Sequence, residues 1–136
     1  MDLTYILTHD IGTTGSKSCI YKINDRIELV DSFLVEYNLY STPDGGVEQR
    51  ADEWSNAVCT ATKTIISRTG IDPRRISAMT YCAQMQGSVF VDETGRALRN
   101  PMSYMDARSG KQVDRYLNNG LLKINGKWNA VTALKW

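Results

Sequence analysis

Cysteine is scarce: Cys19, Cys59 and Cys82 are the only three in 136 residues, odd in number and far apart. That excludes a disulfide framework and offers no zinc-ligand spacing, so reduced, mostly buried thiols in a cytoplasmic setting are expected. No run of about 18 apolar residues exists, and the first residues lack a basic-then-apolar leader. Neither a membrane span nor a secretory signal is therefore expected. An excess of either charge is also missing, with sixteen basic against fifteen acidic residues and a net charge of +1. Without a basic stripe or a charged tail, nothing points to a nucleic-acid partner. Internal repeats and low-complexity tracts are absent too. What is present is ordinary for a globular chain, 42% hydrophobic and 23% charged, and long enough for one domain with a core.

The most informative stretch runs from Tyr5 to Lys17, YILTHDIGTTGSK. Leu3, Tyr5, Ile6 and Leu7 read as a strand buried on both faces, ending at Asp10 and a tight turn, Gly12-Thr13-Thr14-Gly15. Such a turn lets backbone N–H groups and two hydroxyls approach an anion, while a carboxylate at the strand end can hold a hydrated divalent cation against it. The turn is two residues too short for a Walker-type loop, and no helix follows. Ser18 to Ile23 alternates instead, with Cys19, Tyr21 and Ile23 on one face, so the turn joins two strands. A nucleotide-phosphate site and a plain glycine hairpin with a solvated aspartate are both consistent with these residues alone. His9 adjoins Asp10 on the strand and points to the opposite face, as a packing residue rather than a base.

Further along, Asn24-Asp25 supplies a second turn, and Ile27, Leu29, Phe33, Val35 and Tyr37 alternate along a third antiparallel strand with one wet face. Ser41 to Gly46 is a loop. Asp52 can cap a helix whose apolar positions, Trp54, Ala57, Val58, Ala61 and Ile65, recur at three- and four-residue spacing until Gly70. Ile76 to Ala83 is a near-continuous apolar run, expected to be a strand buried on both faces and parallel to a neighbour. It ends at Gln84-Met85-Gln86-Gly87. Val89 to Leu98 reads as a hairpin, Pro101 opens a loop, and Val113, Tyr116 and Leu117 mark a short helix ended by Asn118-Asn119-Gly120. Asp106 and Arg108 read as an ion pair shaping that loop, Glu48 as a loop or interface group, and Trp54 as core. Ala130 to Trp136 looks like the first turns of a further helix, so the chain is expected to be the N-terminal part of a longer protein.

Four segments in order carry a resemblance: DIGTTGSK, PDGGVEQRADEW, QMQG with SVFVDETGRALRNP, and MDARS. Together they resemble the N-terminal domain of the FGGY carbohydrate kinases, closest to the xylulose kinase-like branch. The resemblance implies a ribonuclease H-like, actin-like α/β domain with a five-stranded mixed sheet, flanking helices and an added hairpin. On this reading residues 1–136 form part of the first of two such domains. The implied activity is ATP-dependent phosphorylation of a sugar or polyol. Asp10, Gly12, Thr13, Thr14, Gly15 and Lys17 match the family's first phosphate loop, with Asp10 near magnesium. Gln84, Met85 and Gln86 match the segment lining the sugar pocket, where xylulose kinase-like members commonly show Met-His-Gly and this chain has Met85-Gln86-Gly87. The family's catalytic base and adenine-binding domain lie beyond this chain, so the chain alone is expected to be inactive. ATP, Mg2+ and a small sugar or polyol are the implied partners, with a homodimer left open. The rival readings are a non-catalytic, chaperone-type nucleotide-binding domain and a degenerate partner fragment.

Overall fold

A computed structural model describes residues 4–118, 123–124 and 127–128 of the chain. Three strands follow one another: β1 (Thr4–Ile11), β2 (Gly15–Ile23) and β3 (Ile27–Glu36). Two short strands, β4 (Tyr40–Ser41) and β5 (Val47–Glu48), precede helix α1 (Ala51–Thr69). Then come β6 (Ile76–Ala83), α2 (Gly110–Asn118), and a small pair, β7 (Lys123–Ile124) and β8 (Lys127–Trp128). The main sheet is mixed, in the order β3-β2-β1-β6, with β6 parallel to β1 and the other pairs antiparallel. Four strands of it lie among the described residues, against the five expected.

Helix α1 starts at Arg50, an extended residue whose side chain makes no cap, and carries Asp52 and Glu53 in its first turn. Asp52 is thus inside the helix rather than at the cap expected of it, where its charge still complements the positive helix end. Gly70 ends the helix in the left-handed region, at φ 65°, donating its N–H to Ile66 O at 3.0 Å. Ala57, Ala61 and Ile65, each four residues apart, form the buried stripe. This stripe packs on β2 and β3 far more than on β1. Small alanines bring the helix down onto the buried Ser16 and Ser18, while Ile65 joins Leu7 and Ile20 as the core, ringed by Tyr5, Phe33, Ile71 and Ile76.

That placement overturns the expectation for β6. Its residues are exposed except at Ile76, with Met79 at 50% and Tyr81 at 57%. Among the described residues the apolar run is an edge strand beside β1, and the helix lies mainly over β2 and β3, away from that edge. In β3 the alternation is also interrupted. Val30 is an extra residue between Leu29, opposite Tyr21, and Asp31, opposite Ile20. The bulge puts Ile27 and Leu29 on the opposite face from Phe33 and Val35, which leaves Ile27 70% exposed. The three thiols are free as expected but not mostly buried, since Cys59 and Cys82 are exposed. The expected hairpin at Val89 to Leu98 is held by a bridge between Val91 and Ala97 and a bond from Leu98 N to Phe90 O of 2.8 Å. The helix start at Ala130 to Trp136 lies outside the described residues.

Candidate functional site at the ends of the parallel strands

β1 and β6 run parallel, so their carboxyl ends lie side by side, and each releases one of the motif segments there. Gln84 N donates to Ile11 O at 2.8 Å, which fixes the start of Gln84-Met85-Gln86-Gly87 against the start of the glycine turn. Ligands of open α/β sheets collect at such strand ends.

The turn itself is closed by Gly12 N donating to Gly15 O at 3.0 Å. A Cβ on Gly15 would stand 2.8 Å from Val35 O, so only glycine lets β2 begin this close to β3. Tyr37 braces the turn from outside. Its N–H donates to Thr14 O at 3.2 Å, and its hydroxyl donates to Gly12 O. Burial, and then the negative charge of Asp10, push the Tyr37 hydroxyl up to about 12, so it remains a donor at neutral pH. Asp10 and Lys17 are exposed and paired in register across β1 and β2. They therefore share the sheet face opposite His9. Among the described residues no group of three His, Cys, Asp or Glu side chains could enclose a metal. One exposed carboxylate beside a glycine turn and an ammonium instead fits magnesium, which keeps several waters and binds through one or two carboxylates together with phosphates.

His9 is 1% exposed, shares a 2.7 Å hydrogen bond with Ser18 Oγ, and stacks on Tyr81 with ring centroids 5.0 Å apart. Burial lowers its pKa, which suits a neutral packing residue.

On the other side of the turn lies a cavity of about 120 Å³, lined in part by Trp54, Gln84, Met85, Met102 and Ser103. Gln84 Oε1 and Trp54 Nε1, on two of these residues, are buried without a partner. Met85 is 79% exposed, and Gln86 is an exposed non-glycine residue at φ 65°. The structure thus brings Gln84 and Met85 to the cavity wall, leaves Gln86 exposed, and ties the segment to the start of the glycine turn, whose strands carry Asp10 and Lys17, through Gln84 N and Ile11 O.

An ion-pair clamp holds the cavity's outer wall. Arg108 grips Asp106 with two nitrogens, Nε at 3.0 Å and Nη2 at 2.6 Å from Oδ2, and reaches Glu48 Oε1 at 2.7 Å. Asp106 Oδ2 also accepts from Val47 N at 2.9 Å. The guanidinium holds the Asp106 carboxyl far below the usual range, and holds Glu48 down as well. The loop-shaping pair expected of Asp106 and Arg108 is present, with Glu48 as its third member.

Two residues of the site escaped the sequence reading, Tyr37 and Gln49. Gln49 is 1% exposed; its Nε2 donates to Thr13 O at 2.7 Å and its Oε1 accepts from Gln84 Nε2 at 2.6 Å. The signal available was a polar residue just ahead of a helix, within Val47-Glu48-Gln49.

Comparison with known proteins follows the same lines. A xylulose kinase of Bacillus subtilis is 26% identical over 113 residues, which is 83% of this chain and 22% of that protein. A glycerol kinase of Rhizobium meliloti is 29% identical over 120 residues, 88% of this chain and 24% of that one. The crystal structure of a gluconate kinase from Lactobacillus acidophilus superposes with a TM-score of 0.78 at 26% identity, over 89% of this chain and 24% of that one. The chain thus spans less than a quarter of the length of each of these relatives. Its fold is that of the actin-like, ribonuclease H-like domains. The pattern of the N-terminal domain of the FGGY family of carbohydrate kinases matches residues 5–132, and the chain belongs to that family.

Proposed function

We propose that the chain contributes the first phosphate turn and one wall of the sugar pocket to an ATP-dependent kinase of a sugar or polyol, of xylulose kinase-like type. The observation that carries this reading is the bond from Gln84 N to Ile11 O, which holds the glycine turn and the Gln84-Met85-Gln86-Gly87 segment together at one end of the sheet. Bound Mg·ATP supplies the phosphoryl group and the cation that spreads its charge. The N–H groups and hydroxyls of Thr13 and Thr14 hold phosphate oxygens, Lys17 neutralises charge, and Asp10 orients the hydrated cation. Gln84, Met85 and Gln86 face the acceptor, with Gln86 tuning which ketose or polyol is taken. The base for the attacking hydroxyl comes from outside residues 1–136, so the chain alone does not turn over. Three free thiols fit a reducing, cytoplasmic compartment.

Coupled ATP assays on the whole protein over ketoses, polyols and gluconate test this. Asp10→Asn keeps the shape of the side chain but not its charge, and should lower turnover by roughly 10²-fold or more; Lys17→Ala should act in the same direction more mildly. Near-normal, magnesium-dependent turnover in Asp10→Asn would make this carboxylate a turn residue only. Absence of turnover in the unmutated whole protein would favour the non-catalytic readings.

A further inference from the structure

Two residues from elsewhere in the chain hold the carbonyls of the glycine turn. Thr13 O can only accept, so Gln49 turns its amide nitrogen toward it, at 2.7 Å. Gln49 is itself locked: it is 1% exposed, its Oε1 accepts from Gln84 Nε2 at 2.6 Å, and its N–H donates to Pro101 O at 3.1 Å. Tyr37 holds the carbonyls on either side, its hydroxyl donating to Gly12 O and its N–H to Thr14 O at 3.2 Å. Three successive carbonyls are thus captured. In a planar trans peptide the C=O and the following N–H point in opposite directions, and the described residues include no cis peptide. Capture of Gly12 O therefore aims the Thr13 N–H away from the Tyr37 hydroxyl, and capture of Thr13 O aims the Thr14 N–H away from the buried Gln49. Neither N–H donates to a backbone carbonyl among the described residues, and Thr14 is exposed.

We propose that Gln49 and Tyr37 are positioning residues of the phosphate site, each capturing one carbonyl and thereby aiming one N–H at a phosphate oxygen, Gln49 that of Thr14 and Tyr37 that of Thr13. The peptide between Thr13 and Thr14 is the middle one of the turn, and common turn types differ by a flip of that peptide. Flipped, it would present a carbonyl oxygen to the anion instead of an N–H. Gln49 excludes the flipped form, which would leave its own buried Nε2 without an acceptor. Donors fixed in this way need no reorientation when the anion arrives. This inference rests on the reading of the turn as a phosphate site and adds to it the residues that aim its donors.

The test is amide NMR on the 15N-labelled full chain, titrated with magnesium tripolyphosphate. In the unmutated chain both the Thr13 and the Thr14 N–H signals should move. Gln49→Met, neutral and without a donor, should abolish the Thr14 response, keep that of Thr13, and weaken binding about 10-fold or more. Tyr37→Phe, which loses the hydroxyl and keeps the backbone N–H, should do the reverse: the Thr13 response goes and that of Thr14 stays. This crossed pattern separates positioning from a general loosening of the turn. Binding within about 3-fold of the unmutated chain in a folded Gln49→Met, or both responses falling together in each variant, would overturn the inference while the phosphate reading stands. Should one variant not fold, the other decides by the same comparison. Should neither fold, exchange of the Gln49 side-chain amide with solvent decides, protection upholding the inference and exchange as fast as in an exposed glutamine overturning it. If neither magnesium tripolyphosphate nor Mg·ATP binds the unmutated chain, the phosphate reading falls and this inference with it.

Discussion

Gln86 holds a backbone conformation, φ 65°, that residues with a Cβ rarely adopt. Strain of this kind costs about 1–3 kcal/mol and persists where surroundings impose it, here between a strand end and Gly87. Gln86→Gly should therefore raise stability by about 1 kcal/mol, and Gln86→Val should lower it by at least as much, both read from urea denaturation. Equal stabilities for the two variants would show that the turn carries no strain. His9 is the single histidine, so it dominates titration between pH 7 and pH 5. Its folded pKa lies below 6.5 because burial disfavours the charged ring. Below 6.5 the unfolded chain takes up the proton first, so stability conferred by neutral His9 is present above that pH and is lost as pH falls toward the folded value. The melting temperature should drop between pH 7 and pH 5, and His9→Phe should flatten that drop; an equally steep drop in the variant would assign it to other groups. At this scale the sequence was readable where chemistry is local. Asp10, the glycines and Lys17 lie along one strand-turn-strand stretch, and the neighbour rule put His9 on the opposite face. Gln49 and Tyr37 were not readable, because their partners, Thr13, Gln84 and Gly12, lie 25 or more residues away.

Helix α1 and strand β6 show the same divide among elements. The helix was legible from its spacing, and Ala57, Ala61 and Ile65 form its buried stripe. Strand β6 was legible as a strand and as parallel, because an apolar run after a helix crossover has few alternatives. Its burial was not, since periodicity says nothing about where along the sheet the covering helix lies. The bulge at Val30 is likewise silent in an alternating pattern that continues past it. Substitutions should follow the observed packing rather than hydrophobicity. Leu7→Ala removes a fully buried side chain and should cost about 2–5 kcal/mol, whereas Met79→Lys, on the exposed edge, should change stability by about 0.5 kcal/mol or less. Denaturation midpoints for the two variants check this, and a loss at Met79 as large as at Leu7 would mean that the β6 face is covered.

For the molecule as a whole, the arrangement reduces to a sheet whose two parallel strands deliver the glycine turn and the Gln84-Met85-Gln86-Gly87 segment to one place. The glycine turn could be read as a phosphate site from its own residues, but equally as a plain hairpin. The order of four separate segments supports the first reading, and the bond from Gln84 N to Ile11 O joins two of them in space. The central claim is that Gly12 to Lys17, with Asp10, receives the phosphates. Amide mapping by NMR on addition of Mg·ATP tests it most directly. The account predicts that the largest shifts fall on the N–H groups of Gly12, Thr13, Thr14 and Gly15, and that Asp10→Asn removes the part of the response that depends on magnesium. Shifts concentrated elsewhere, or the same response in Asp10→Asn with and without magnesium, would contradict it.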